Sequence, residues 1–333
     1  MGWFFTYQRR SKDEIRNEYF YGLHMVKKVL LATEKPFAAK AVEGIRNIFE
    51  EAGYELRLLE KYTDKAQLLE AVADVDALIV RSDKVTAEVL AAAENLKIVV
   101  RAGAGYDNID LAAATEKGVV VMNTPGQNSN AVAELVIGMM IYMSRNQFTP
   151  GTGAEIKGKR LGLHAFGNVA RIVARYGKAF GMEVKAFDPF VKDDAQFVEA
   201  GVLRVHSVEE LFDTCDFVSL HIPATPQTVG SIGYDLMKRM PKGATLVNSA
   251  RQEVIDEAGL LKALTEREDL KYVSDVPVGS CPDLAEKFGK RVFVTKKKMG
   301  AETAEANINA GLAAARQIVD FFKTGNCRFQ VNK

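Results

Sequence analysis

Cysteine and histidine are both scarce in this chain, three of one and four of the other in 333 residues. Cys215, Cys281 and Cys327 stand far apart with no C-x-x-C spacing, which argues against a disulfide framework and against a structural zinc site. A reducing cytoplasm is the compartment this implies. No cluster of His, Cys, Asp and Glu has the spacing of metal ligands, so no metal is expected. An excess of one charge is missing too: 44 Lys and Arg against 43 Asp and Glu leave a formal net charge of +1. That balance creates no long-range field for nucleic acid or an anionic membrane, and no basic run is interleaved with aromatics, so neither partner is expected. The local exception is Lys296-Lys297-Lys298. The first 24 residues also lack an apolar stretch followed by a small-residue cleavage site, which argues against a secretory signal.

What the chain does contain is ordinary globular composition: 47% hydrophobic and 26% charged residues exclude disorder for the bulk of it. Its length exceeds what one compact core usually holds, so two domains are expected. Residues 1–24 differ from all that follows, with Trp3, Phe4, Phe5, Tyr7, Tyr19, Phe20 and Tyr21 around a charged middle, and read as a poorly ordered N-terminal appendage. From residue 29, apolar strands at 29–33, 55–59, 77–80, 98–101 and 119–122 alternate with helical periodicity near 38–52, 65–72, 87–93 and from 111. Such alternation specifies a parallel sheet covered by helices. A long apolar helix from Asn128 to about 143 bridges into a second series, with strands from 160 and at 183–187, 217–220, 244–247 and 272–274. A last helical pattern covers 303–322.

Ligands of open α/β sheets sit outside the carboxyl ends of the strands, so the residues found there carry the functional signal. The strand ending at Val100 delivers Arg101 and then Gly103-Ala104-Gly105, a glycine-alternating turn whose amides form an anion nest beside a fixed cation. Another strand delivers Arg81-Ser82. In the second series, Ala165-Phe166-Gly167-Asn168-Val169-Ala170 stands where G-x-G-x-x-G belongs and keeps only the middle glycine, the one that lets backbone approach a pyrophosphate. By itself the segment is as readily a packing turn. Asp188 lies 21 residues past Gly167, where a ribose-binding acid belongs, and its charge favours NAD over a 2′-phosphorylated cofactor. The blander reading is a solvated aspartate opening a turn. His221-Ile222-Pro223 follows the strand at 217–220, with an imidazole whose ordinary pKa suits proton transfer. Asn248-Ser249-Ala250-Arg251 follows the next strand, and a guanidinium there is suited to grip a 2-oxo acid by its carboxylate and polarise its carbonyl. Asp275 ends the strand at 272–274.

Taken with Met122-Asn123-Thr124-Pro125, these segments resemble the D-2-hydroxyacid dehydrogenases, most closely the short D-3-phosphoglycerate dehydrogenases without a regulatory domain, over about residues 25–333. The resemblance implies two Rossmann-like, doubly wound parallel-sheet domains with a cleft between them: residues 25–127 plus 306–333 for substrate, and 128–305 for NAD. It implies oxidation of 3-phosphoglycerate to 3-phosphohydroxypyruvate, a step of serine biosynthesis, by a cytoplasmic homodimer joined through the cofactor domain. Cofactor contacts fall to Gly167, Asn168, Val169, Asp188, His221, Ile222, Pro223, Ser249, Ala250 and Asp275. Substrate contacts fall to Arg81, Ser82, Arg101, Gly103, Ala104 and Gly105, and catalysis to Arg251.

Two catalytic positions depart from the family pattern. The glutamate usually found a few residues after Asp275 is replaced in Val276-Pro277-Val278-Gly279-Ser280-Cys281-Pro282, which holds no carboxylate. The histidine that should precede Gly300 is absent, since the four histidines occupy 24, 164, 206 and 221. Counting back from Gly300 puts Lys298 in its place, and counting forward from Thr295 points to Lys297. A lysine can exchange the proton if burial beside Arg251 lowers its pKa, and losing an anionic partner is consistent with that. The alternatives are a solvated basic loop, an enzyme for a non-phosphorylated hydroxy acid, and a catalytically silent NAD-binding sensor.

Overall fold

Short segments of two to six residues, most of them largely apolar and too short for helices, build the strands of two parallel sheets. The computed structural model describes residues 26–279 and 283–332, and the expected appendage at 1–24 lies outside them. The described chain divides into two compact units at 124/125 and 310/311.

In the first unit the order is β1 (Lys28–Thr33), α1 (Ala39–Ala52), β2 (Glu55–Glu60), α2 (Lys65–Ala71), β3 (Ala77–Val80), α3 (Ala87–Ala92), β4 (Ile98–Arg101), α4 (Leu111–Glu116) and β5 (Val120–Asn123). The sheet runs β2-β1-β3-β4-β5 with every pair parallel, so the direction of winding reverses between β1 and β3. Strand β3 is buried at all four positions, as a parallel strand covered on both faces must be. Helices start where a side chain satisfies the first free amides: Asp64 forms a capping box with Gln67, and Asp110 accepts from the Ala113 amide. Leu30, Leu78, Val99 and Val121 belong to the core beneath them.

The second unit contains α5 (Ser129–Ser144), β6 (Arg160–His164), α6 (Asn168–Ala179), β7 (Glu183–Phe187), α7 (Ala195–Ala200), β8 (Leu203–Arg204), α8 (Val208–Thr214), β9 (Phe217–Leu220), α9 (Tyr234–Met237), β10 (Thr245–Asn248), α10 (Glu257–Glu266), β11 (Lys271–Ser274), α11 (Leu284–Phe288) and β12 (Val292–Val294). Its seven parallel strands run β12-β11-β10-β9-β6-β7-β8, with the reversal between β6 and β9. Strands β8 and β12, absent from the sequence reading, are edge strands of two and three residues, too short to leave a periodic signal. Helix α5 is apolar around most of its circumference because it packs against α6, β10 and β11.

The final helix, α12 (Ala304–Thr324), begins in the second unit and ends in the first. Its Gln317 donates to the Asn123 carbonyl at 3.1 Å, and Val331 beyond it donates to the Val121 carbonyl at 2.8 Å. Those bonds return the C-terminal residues to the edge strand β5. Among the described residues Cys215 and Cys327 form no disulfide, and no three His, Cys, Asp or Glu side chains come together as metal ligands. No described helix is long and apolar enough to cross a membrane.

Candidate active site

In the second unit the turn after β6 carries the worn glycine fingerprint. Ala165, where the first glycine is expected, adopts φ +82°, a left-handed conformation that costs an L-residue roughly 1–2 kcal/mol. Ala165→Gly is therefore expected to raise stability by about 0.5–1 kcal/mol, the strain relieved less the larger backbone entropy glycine loses on folding. A thermal melt showing no gain, or a loss, would mean the strain is absorbed elsewhere. Gly167 caps α6, and a Cβ placed on it would meet nothing within 4 Å. The protein's own packing leaves that backbone open, beside the amides of Asn168 and Val169 at the start of a twelve-residue helix, and open backbone at a helix N-terminus suits a phosphate.

Asp188 is buried, not a solvated turn residue. Its Oδ2 accepts the Phe166 amide and its Oδ1 the Phe190 amide, both at 2.8 Å, so the carboxylate ties the fingerprint turn to the end of β7. Each oxygen keeps a further lone pair for a sugar hydroxyl.

His221 corrects the expectation of an acid–base imidazole. Its amide donates to the His164 carbonyl at 3.0 Å, and its Nε2 is sealed from solvent with no hydrogen-bond partner. Desolvation first, and the adjacent His164 second, push its pKa down to about 3. His164 is itself buried, with Nδ1 unpartnered and its pKa pushed to about 4 by desolvation. Both rings are neutral at working pH. Because the unfolded chain takes up these protons near pH 6.5 and the folded chain only near 4 and below, the pair imposes no penalty above 6.5 and a growing one as pH falls. For His164 alone the penalty reaches on the order of 3 kcal/mol at pH 4. Melting temperatures followed from pH 7 to 4 should fall less steeply for His164→Leu than for wild type; parallel slopes would refute this account.

The loop after β10 is shaped by Asn248, whose Nδ2 donates to the Arg251 carbonyl and whose Oδ1 accepts the Ala250 amide, each at 3.0 Å. Ser249 is buried with its Oγ unpartnered. Ile222 is buried, while Pro223 is exposed at the start of the loop after β9. Arg251 is exposed, and its Nη1 donates to the Ala250 carbonyl at 3.0 Å. Lys298 Nζ donates to that same oxygen at 2.8 Å. The two cations therefore meet at one carbonyl, and of the two candidate lysines it is Lys298 that stands beside Arg251. Lys297 makes no hydrogen bond or ion pair among the described residues. Both lysines are exposed, where burial beside Arg251 was expected.

Asp275, at the end of β11, is fully buried. Its amide donates to the Asn248 carbonyl at 2.9 Å; its Oδ1 accepts Thr295 Oγ1 at 3.1 Å and the Met299 amide at 3.0 Å, and its Oδ2 the Gly300 amide at 2.7 Å. The carboxylate is engaged with the lysine loop rather than displayed toward a cofactor, a role with no signature in a single aspartate at a strand end.

The first unit carries the proposed anion contacts. Arg81 is half-buried, donates from Nη1 to the Lys35 carbonyl at 3.3 Å and lies over the Phe37 ring at 5.3 Å; Ser82 is exposed. Arg101 donates from Nε to the Arg81 carbonyl at 2.9 Å. Its guanidinium fills the place where a side chain on residue 103 would begin, which is why that residue is glycine. The Gly103 amide donates to the Arg101 carbonyl at 2.8 Å, so it is not available to an anion; Ala104 and Gly105 remain the nest. Asp83 was missed from sequence: buried, it accepts from the Glu34 amide at 2.7 Å, Tyr62 Oη at 3.0 Å and the Arg81 amide at 3.2 Å, and so holds the Arg81 turn. A carboxylate two residues after a strand-end arginine was the available signal.

A seven-stranded parallel sheet with a fingerprint turn, a buried acid ending β7 and an arginine after β10, joined to a second parallel sheet by a helix that returns the C-terminus, defines the class. The chain belongs to the D-isomer-specific 2-hydroxyacid dehydrogenase family, whose catalytic-domain pattern it matches over residues 32–332. It is similar to the crystal structure of an NAD+-bound 3-phosphoglycerate dehydrogenase from Entamoeba histolytica, with 49% identity and a TM-score of 0.81 over 92% of this chain and 99% of that one. It is also 39% identical to a D-3-phosphoglycerate dehydrogenase from Methanocaldococcus jannaschii over 81% of this chain, and spans 54% of that protein's length. A hydroxypyruvate reductase from Thermotoga maritima is 34% identical over 79% of this chain and 90% of its own.

Proposed function

We propose that this protein oxidises a D-2-hydroxy acid to the 2-oxo acid with NAD, that the substrate is 3-phosphoglycerate, and that Lys298 takes the hydroxyl proton. The observation that carries the reading is the meeting of Arg251 and Lys298 at the Ala250 carbonyl. A guanidinium grips the substrate carboxylate and polarises the C2 oxygen, while an amine at the same point accepts the proton from that oxygen in its neutral form and returns it in its charged form. When bound, NAD supplies the acceptor for the C2 hydride. The open backbone over Gly167, the amides of Asn168 and Val169, and Asp188 would hold its pyrophosphate and ribose. Recognition of a substrate phosphate is assigned to Arg81 and Arg101 with the Ala104 and Gly105 amides.

A cytoplasmic homodimer belongs to the same proposal and rests on the resemblance. The relatives named as D-3-phosphoglycerate dehydrogenases support the phosphorylated substrate. The commitment of Arg81 and Arg101 to backbone carbonyls, together with the Thermotoga relative, favours a non-phosphorylated hydroxy acid as the second reading. NADH formation from NAD at alkaline pH with 3-phosphoglycerate, D-glycerate and D-lactate in parallel separates them. A kcat/KM at least tenfold higher for 3-phosphoglycerate is expected. Equal or better turnover of the plain acids overturns the phosphate assignment, and NAD binding without turnover of any of them leaves a silent sensor.

A further inference from the structure

We infer that Asp275 is the positioning residue of this site: its buried carboxylate clasps both ends of the 295–300 loop and thereby sets Lys298 against Arg251. The inference rests on the reading of Lys298 as the proton-transfer group and names what holds it there.

Three donors reach the one carboxylate, and all three flank the lysine triplet. Thr295 stands immediately before Lys296, and Met299 and Gly300 immediately follow Lys298. A carboxylate with three donors closes the loop much as a capping acid closes a helix end, and burial makes each bond costly to break. Gly300 approaches so closely that a Cβ on it would lie 2.9 Å from Asp275 Oδ2 and 3.3 Å from Val132 Cγ2. The clasp is anchored in turn, because the Asp275 amide donates to the carbonyl of Asn248, whose side chain shapes the Ala250 and Arg251 loop. One connected set of bonds thus runs from the lysine loop through Asp275 and Asn248 to the Ala250 amide and the Arg251 carbonyl, on either side of the peptide whose oxygen both cations share. In residues 276–282, where the family pattern leads one to seek an acid for the proton-transfer group, the chain has Val, Pro, Val, Gly, Ser, Cys and Pro. Positioning of the loop through two backbone amides and the Thr295 hydroxyl replaces positioning of the proton-transfer group by an acid of its own.

The purified full-length protein tests this with Asp275→Asn, Lys298→Ala, their double variant, and Thr295→Val beside Thr295→Ser. An asparagine side chain of the same shape accepts with one oxygen and presents a donor to amides that also donate. A displaced Lys298 predicts a kcat 10- to 100-fold lower for Asp275→Asn, with the Kd for NADH, read by fluorescence, within about twofold of wild type. The double variant should be no slower than Lys298→Ala, because both changes remove the same contribution. Thr295→Val, which keeps the buried charge and deletes one donor, should lose part of kcat, and Thr295→Ser should recover it; these two variants decide the matter if Asp275→Asn does not fold. Multiplying losses in the double variant, or a kcat untouched by Asp275→Asn or Thr295→Val, overturns the inference while leaving Lys298 in its role. If Lys298→Ala itself leaves kcat unchanged, the reading of Lys298 falls and the inference with it.

Discussion

Lys298→Ala is expected to lower kcat for hydroxy-acid oxidation by about 10²–10⁴-fold, the range a positioned acid–base group contributes, with NADH affinity unchanged. Lys297→Ala should remain within a few-fold of wild type. The two side chains are adjacent, carry the same formal charge and are both exposed, so net charge does not separate them; only Lys298 reaches the Ala250 carbonyl. Oxidation requires the amine unprotonated, so wild-type kcat should rise with pH through the lysine ionisation, and that limb should vanish in Lys298→Ala. His221, held neutral with its pKa near 3, contributes no limb between pH 5 and 8. Equal losses in both lysine variants would indicate a diffuse basic loop instead of a single proton-transfer group.

Arg251→Ala should lower kcat/KM by about 10²–10³-fold, within the roughly 2–5 kcal/mol lost when one partner of a hydrogen-bonded charge pair is removed, if substrate binding covers the exposed guanidinium as proposed. Arg251→Lys keeps the charge and gives up the planar fork that matches a carboxylate, so it should recover only part of that loss. NADH binding measured on both variants separates the readings. If affinity for NADH falls along with kcat/KM, the arginine holds the loop after β10 together and does not grip the substrate. Asn248, which bonds on both sides of that loop, makes the structural alternative concrete enough to test.

The elements of both sheets were readable because a parallel strand covered on both faces must be apolar throughout, and such runs stand out between polar helix caps. Strands β1 to β5 lie within two residues of where the apolar runs put them. Edge strands β8 and β12 were not readable, being two and three residues long and held by pairing rather than by their own composition. Asp188 was readable at a distance because the βαβ unit fixes how far along the chain the second strand ends. The same spacing logic could not foresee that its carboxylate would be occupied by two backbone amides of the turns around it.

The site divides along the same line. Residue types and their order along the chain determined the family, pointed to the strand ends proposed to carry chemistry, and showed no histidine or glutamate where the family pattern leads one to expect them, since these depend on local pattern alone. Tertiary structure decided which lysine faces Arg251, because that rests on where a loop after β11 and β12 is pinned, and the pin is a carboxylate some twenty residues away in sequence. Packing decided that His221 stays neutral, because a pKa depends on how much water surrounds the ring, and that is set by strands β6 and β9 lying side by side. It also decided that Gly103 makes room for a guanidinium, where the sequence suggested an amide for an anion.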